Sequence, residues 1–173
     1  MKKLILTILL ILIILVIPHV TDAQNKCKYD VDTYDKFLKI RKLEKEVKVN
    51  KANAGGNGYL KLDFCKYDSL VFFRITYILR DGIVVGKDDK IIFLLEDDSS
   101  VRAFPNQIYS GDMRVATSQF VLNASYFFEN YDDMEKLKTK KVKSIRIYYN
   151  SVYRDQDIKD RFSDMLQNTA QCF

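Results

Sequence analysis

Apolar and polar residues alternate with a period of two over much of the chain, which is typical of β-strands. In residues 59–64, Leu60, Leu62 and Phe64 alternate with Lys61 and Asp63, so this strand has one buried face and one face toward water. Residues 70–79 continue the pattern, and both faces carry large apolar side chains. We therefore expect a central strand that is covered on both sides.

Further strands are predicted at residues 43–49, 90–96, 101–104, 115–128 and 143–153. The strands at residues 90–96 and 101–104 are separated by an Asp-Ser turn signal at residues 97–100. Residues 90–104 are therefore predicted to form a hairpin. Residues 50–58 hold three glycines and are predicted to form a loop. Residues 27–42 fit a helix and a strand equally well, and both interpretations stay open.

Two helices are expected near the C-terminus. Asp132 followed by Glu135 has the spacing of a capping box and predicts a short helix. Asp157 is the expected cap of a C-terminal helix. Its apolar face is predicted to contain Ile158, Phe162, Met165, Leu166, Thr169 and Cys172.

The predicted fold class is α+β: an antiparallel sheet of about six to eight strands, curled or sandwich-like, with the short helix and the C-terminal helix packed on it. A small barrel-like sheet with a lumen, similar to a lipocalin, is the main variant. This order of elements resembles that of many small exported bacterial proteins. The resemblance is one of layout, rests on no specific motif and implies no function.

The N-terminus has the three zones of a secretory signal peptide. Lys2 and Lys3 precede an apolar run at residues 4–17, and Ala23 is a small residue suited to cleavage. An uncleaved anchor would need about 18 to 20 apolar residues, and Pro18 ends this run earlier. We therefore expect residues 1–23 to be removed, and residues 24–173 to form a single domain in the periplasm, at the cell surface or outside the cell.

Composition restricts the chemistry of that domain. Without the leader, which carries two lysines and one aspartate, the net charge falls from +5 to +4. This excess is smaller than nucleic-acid binders usually show, so a nucleic-acid partner is not expected. The single histidine, His19, leaves with the leader, which excludes histidine-based nucleophilic catalysis and histidine-containing zinc sites. The sequence predicts no catalytic residue, cofactor or metal.

Three cysteines remain in the mature chain: Cys27, Cys65 and Cys172. In an oxidising compartment they form one bridge and leave one free thiol. A Cys27–Cys172 disulfide would close almost the whole domain into one loop and is the preferred pairing. Cys27–Cys65 is the competing pair.

Several carboxylate groups were considered as sites. Asp30, Asp32 and Asp35 are spaced as in a calcium loop, but Asp35 and Arg41 stand where an EF-hand requires glycine and glutamate. We interpret them as residues of a solvated turn. The doublets at residues 88–89, 97–98 and 132–133 are the only basis for a carboxylate-based hydrolase. Each lies at a predicted turn or helix start, where aspartate is favoured structurally.

The densest basic stretch consists of Lys136, Lys138, Lys140, Lys141, Lys143 and Arg146. It could meet an anionic glycan, a lipid surface or an acidic envelope protein. The alternative is a solvated face that protects a sheet edge. Aromatic residues concentrate at residues 126–128 and 148–153, where alternation sends some inward and leaves others as a recognition surface.

These observations predict an exported protein that acts as a non-enzymatic binding or interaction domain. The first alternative is a carrier of a lipid or small apolar molecule in a barrel-like cavity. For a carrier, the inward residues would line a void instead of filling the interior. The second alternative is the carboxylate-based hydrolase.

Overall fold

The computed structural model describes residues 27–49 and 58–173, which form twelve strands and two α-helices. The predicted signal peptide and most of the predicted loop at residues 50–58 lie outside the described residues. The strands are β1 (Val31–Asp35), β2 (Ile40–Lys48), β3 (Tyr59–Tyr67), β4 (Leu70–Leu79), β5 (Val84–Val85), β6 (Ile91–Leu95), β7 (Ser100–Pro105), β8 (Tyr109–Ser110), β9 (Asp112–Arg114), β10 (Gln119–Phe128), β11 (Val142–Tyr149) and β12 (Val152–Asp157). The helices are α1 (Asp133–Thr139) and α2 (Asp160–Ala170).

Ten strands form one antiparallel sheet in the order β1-β2-β3-β4-β10-β7-β6-β11-β12, with β9 paired to β10. Strands β5 and β8 form a separate pair. Helix α2 contacts both β2 and β11, the second strand from either end of the sheet, so the sheet curls around this helix. The sheet is open, because β1 and β12 are its two ends.

The prediction of six to eight strands was too low, for reasons visible in the turns. Residues 27–42, which the sequence left open, form the β1–β2 hairpin. The predicted strand at residues 143–153 is divided by a tight turn at Asn150 and Ser151, both with positive φ. The predicted strand at residues 115–128 is shortened at its start. Residues 115–117 form a short 3-10 helix that separates β9 from β10.

The core lies between the inner face of the sheet and the two helices. Phe73 on β4 is its aromatic centre, with ring centroids 5.4 Å from Phe93, 5.7 Å from Tyr126 and 6.2 Å from Phe64. Met134, Leu137 and Leu166 join the core from the helices. The inward residues whose packing tests the carrier alternative fill the interior. All are buried in the core except Val71, which is half-buried and packs against it: Leu60, Leu62, Phe64, Val71, Phe73 and Ile75.

The expectation that β4 is covered on both faces was too strong. On its outer face Phe72 is buried by the rings of Tyr67 and Phe127. Arg74 and Thr76 remain half-buried, since no helix covers this side of the strand. Their cover comes from side chains of neighbouring strands.

Both helices form close to their predicted positions, but neither begins with the capping interaction that the sequence predicted. The Asp132 side chain makes no capping hydrogen bond, and the buried Asp133 carboxylate accepts a 2.7 Å hydrogen bond from Lys136 instead. Asp157 belongs to β12, so α2 begins three residues later. Its buried positions are Ser163, Leu166, Thr169 and Ala170, whereas the predicted core residue Met165 is exposed.

The two ends of the domain meet. The Cys27 and Cys172 Cα atoms are 5.5 Å apart and the sulfurs lie at disulfide distance, while Cys65 is free and buried. The Tyr29 hydroxyl donates a 2.6 Å hydrogen bond to the Cys172 carbonyl. Phe173 packs against the core beside Phe64. In the described part of the chain, neither helix is long and apolar enough to span a membrane.

Candidate functional site

A cleft of about 700 Å³ opens at one end of the sheet. It lies where the β3–β4 turn, the last residues of β10 and the start of α1 come together. Antiparallel pairing brings these segments to the same end, because Tyr67 pairs with Leu70 and Tyr126 pairs with Phe73. The volume is within the range of about 300 to 1,000 Å³ that is usual for ligand sites.

One part of the cleft wall is apolar, and the rest is polar or charged. Val71, Phe127, Phe128, Met134 and Phe173 line the apolar part, and all five are wholly or partly buried. At the mouth, the side chains of Leu70 and Tyr131 are 50% and 96% exposed. Apolar surface of this kind, held by strand ends and the core, can receive an apolar or aromatic group with little rearrangement.

Charged residues form part of the rim. Lys138 Nζ lies 2.6 Å from the Glu135 carboxylate, so these two charges largely offset one another. Lys66 and Asp68 bring one charge of each sign to the opposite side. The rim is therefore polar but close to neutral, which suits an apolar ligand with hydrogen-bonding edges better than a strongly charged one.

The structure places the predicted basic surface on α1, β11 and the segment between them. Every one of its six side chains pairs with a carboxylate: Lys136 with Asp133, Lys138 with Glu135, Lys140 with Asp97, Lys141 with Asp164, Lys143 with Asp98 and Arg146 with Asp155. The pairing lowers the pKa of Asp97 and of Asp155 and raises that of Arg146. These lysines do not form an uncompensated positive patch.

The three carboxylates spaced as in a calcium loop, Asp30, Asp32 and Asp35, each interact with a different part of the protein. Asp30 accepts a 2.7 Å hydrogen bond from the Glu46 amide, and Asp32 pairs with Arg41. Asp35 accepts bonds from the Phe37 and Leu38 amides, each 3.0 Å long, and closes the β1–β2 turn. Across residues 27–49 and 58–173, no three histidine, cysteine or acidic side chains are grouped so as to hold a metal ion.

The aspartate doublets likewise act in turns and ion pairs. Asp89 accepts a 2.8 Å hydrogen bond from the Gly86 amide in the turn before β6. Asp97 accepts a bond from the Ser99 amide, and Asp98, in the β6–β7 turn, pairs with Lys143 of β11. Asp89, Asp97 and Asp98 thus have structural partners.

The aromatic residues divide as alternation requires. Tyr126 and Tyr149 are in the core, and Phe127 stacks on Phe72 on the outer face. Tyr148 and Tyr153 form an outer pair beside Arg146, whose guanidinium carbon is 4.1 Å from the Tyr153 ring centre. Of this set, only Phe127 and Phe128 reach the cleft.

An outer-face cluster surrounds the free cysteine. Glu44 accepts a 2.7 Å hydrogen bond from the Tyr67 hydroxyl and pairs with Arg74. Burial raises the pKa of the Cys65 thiol to about 12 and that of Tyr67 to about 12. A thiol with this pKa stays protonated near neutral pH and is a poor nucleophile.

Sequence reasoning missed most of the cleft. Tyr131 stands in a turn and Leu70 is the exposed first residue of β4, so alternation did not mark either as part of a cleft, and Phe173 reaches the site only because the two ends of the domain meet. The only sequence feature that pointed to the cleft was a pair of adjacent aromatic residues, Phe127 and Phe128, at the end of a long strand.

Comparison with known proteins adds no family to this description. No protein-family model, curated protein or solved structure matches the chain.

Proposed function

We propose that the protein is an exported, non-enzymatic binding domain whose ligand site is the cleft beside α1. The observation that carries this proposal is the combination of a partly buried apolar wall with an exposed leucine and tyrosine at the mouth. Large apolar side chains kept in water at a concave site are typical of interaction surfaces. The ligand expected is an apolar or aromatic segment of an envelope protein.

Export is part of the same proposal. A bridge between Cys27 and Cys172 is stable in an oxidising compartment and rare in the cytosol. The pairing of these two cysteines therefore supports the leader predicted at residues 1–23.

The site is tested first with 8-anilinonaphthalene-1-sulfonate, an aromatic probe that fluoresces in apolar surroundings. We expect saturable binding to one site. Leu70→Glu should weaken it about tenfold or more, because a carboxylate at the mouth costs apolar contact and repels the sulfonate.

The matched control is Val152→Glu at the first residue of β12, a position equivalent to that of Leu70 at the start of β4. Val152 is 53% exposed, close to the 50% of Leu70, but it lies outside the cleft. If Leu70→Glu bound the probe as tightly as the wild-type protein does, the cleft would not be the binding site.

The partner is then sought with a photo-crosslinking residue at position 131 of the exported protein, and with the same residue at position 153 as control. We expect one crosslinked envelope protein from position 131 that disappears when Leu70→Glu is added. Crosslinks of equal yield from both positions would contradict the proposal.

The carrier remains a second candidate because of the cleft's volume alone. The packed interior around Phe73 leaves the cleft as the place where a carrier of this fold would hold its cargo. Native mass spectrometry distinguishes the two, since a small apolar molecule that co-purifies and is released on unfolding would favour the carrier. No feature of the aspartate doublets favours the hydrolase alternative.

A further inference from the structure

The β1–β2 turn presents the most exposed apolar pair of the described chain. Phe37 is 98% exposed and Leu38 is 64% exposed, and they are the two central residues of the four-residue turn 36–39. Most isolated apolar residues at a protein surface keep part of their area covered by neighbours. Here both side chains extend into water from the apex of a hairpin.

The turn is held in one conformation. The Asp35 carboxylate accepts hydrogen bonds from the Phe37 and Leu38 amides, and it pairs with Lys42. Lys39 has a positive φ of 56°, and below it the two strands pair without interruption from Asp35 and Ile40. The apolar apex is thus built by the hairpin and is not a frayed segment.

The charges around the apex are positive. Lys36 and Lys39 flank the apolar pair, are exposed, and have no ion-pair partner among the described residues. Arg41 and Lys42, by contrast, are matched by Asp32 and Asp35. The hairpin from residue 32 to residue 42 therefore carries a net charge of +2, all of it at the turn.

The apex also projects beyond its neighbours. Strand β2 pairs with β3 up to Lys42, and the Asp68 amide of the next turn donates to the Arg41 carbonyl. Residues 36–39 thus lie farther out than the β3–β4 turn at the same end of the sheet. Phe37 and Leu38 therefore extend past the adjacent turn into solvent.

We propose that the β1–β2 turn inserts Phe37 and Leu38 into the surface of an anionic lipid bilayer. An aromatic ring and a leucine suit the boundary between headgroups and acyl chains, and the two free lysines can reach anionic headgroups around the insertion point. This inference is independent of the cleft and its ligand.

The direct test uses Phe37→Trp, which introduces the only tryptophan of the chain. With vesicles of phosphatidylglycerol and phosphatidylcholine, we expect a blue shift of its emission and quenching by brominated acyl chains. Val115→Trp is the matched control, because Val115 is 82% exposed at the other end of the sheet. An unshifted spectrum for Phe37→Trp at saturating vesicle concentration would overturn the proposal.

Binding energetics are tested by co-sedimentation of the full domain with the same vesicles. Phe37→Ser with Leu38→Ser should lower the affinity about tenfold or more, and Lys36→Gln with Lys39→Gln about 30-fold. Met113→Ser with Val115→Ser removes a comparable exposed pair from the other end and should leave the affinity unchanged. All of these positions are in solvent, so the variants keep the fold.

Pure phosphatidylcholine vesicles separate the contribution of charge attraction to binding from that of apolar insertion. The wild-type protein should bind them far more weakly, and its binding to anionic vesicles should fall with added salt. If the folded wild-type protein fails to bind either vesicle, the proposal is wrong. If the serine variants instead lose the crosslink from position 131, the turn contacts a protein partner and not a bilayer. Failure of the cleft would appear separately, as unchanged probe binding by Leu70→Glu.

Discussion

At the scale of single residues, the outer face of β3 and β4 gives one side chain unusual chemistry. Cys65 is fully buried beneath Phe72, Glu44 and their neighbours, although it lies on the face that no helix covers. Its thiol can donate only a weak hydrogen bond to the Asp63 carbonyl. The consequence is a titration that is coupled to folding.

Stability should fall with rising pH above about 9 because of Cys65. Burial raises the pKa of this thiol from its ordinary 9.0 to about 12. Between these values the unfolded chain has lost the proton that the folded protein keeps, so the free energy of unfolding decreases as pH rises. Tyr67, with its pKa raised from 10.0 to about 12, acts in the same direction.

Urea unfolding at pH 7, 9, 10 and 11 measures this effect. Cys65→Ala should make the decrease above about pH 9 shallower, leaving the share due to the tyrosines. An identical pH dependence in the variant would show that the thiol is not protected in the folded state.

At the scale of elements, the rotation of α2 about its axis decides which of its side chains pack inside the curled, open sheet. The helix lies against β2 and β11 and contacts α1. Leu166 and Ala170 enter the core, while Met165 faces outward. Helical periodicity located the amphipathic segment, but its apolar stripe was broad enough to allow more than one rotation.

Two adjacent residues of α2 should therefore differ sharply in their contribution to stability. Leu166→Ala is expected to lower the free energy of unfolding by about 2 to 5 kcal/mol, because it leaves a cavity in the core. Met165→Ala should lower it by less than about 1 kcal/mol, because the side chain is exposed. Chemical denaturation of both variants gives the comparison, and equal losses would contradict the rotation described here.

At the scale of the whole molecule, one covalent link and one set of contacts join the two chain ends. The Cys27–Cys172 pair spans 145 residues of sequence. Tyr29 and Phe173, whose ring centroids are 5.5 Å apart, pack beside it. This junction also positions Phe173 in the wall of the cleft.

Removing the bridge should destabilise the domain without unfolding the sheet. Cys27→Ser with Cys172→Ser is expected to lower the free energy of unfolding by about 2 to 5 kcal/mol, since the unlinked unfolded chain gains entropy. Thermal unfolding with and without reductant measures the effect, and Cys65→Ala controls for the free thiol. Intact mass before and after reduction should differ by two hydrogens, and an unchanged mass would exclude the bridge.

The sequence alone determined features that depend on local order and composition. Alternation located the long strands β3, β4 and β10, since residues on one face of a strand must share one environment. Turn residues located the β6–β7 hairpin, and the spacing of Cys27 and Cys172 identified the cysteines that meet. These properties are encoded within short segments or in the count of one residue type.

Tertiary structure alone decided the strand order, the rotation of α2 and the cleft. Strand β10 lies between β4 and β7, and a period of two contains no information about which strand will be its neighbour. Leu70, Tyr131 and Phe173 come together from the start of β4, the turn before α1 and the last residue of the chain, so no local pattern could have joined them. The exposure of Phe37 likewise depends on how far β2 extends past β3, which is a matter of register between distant segments.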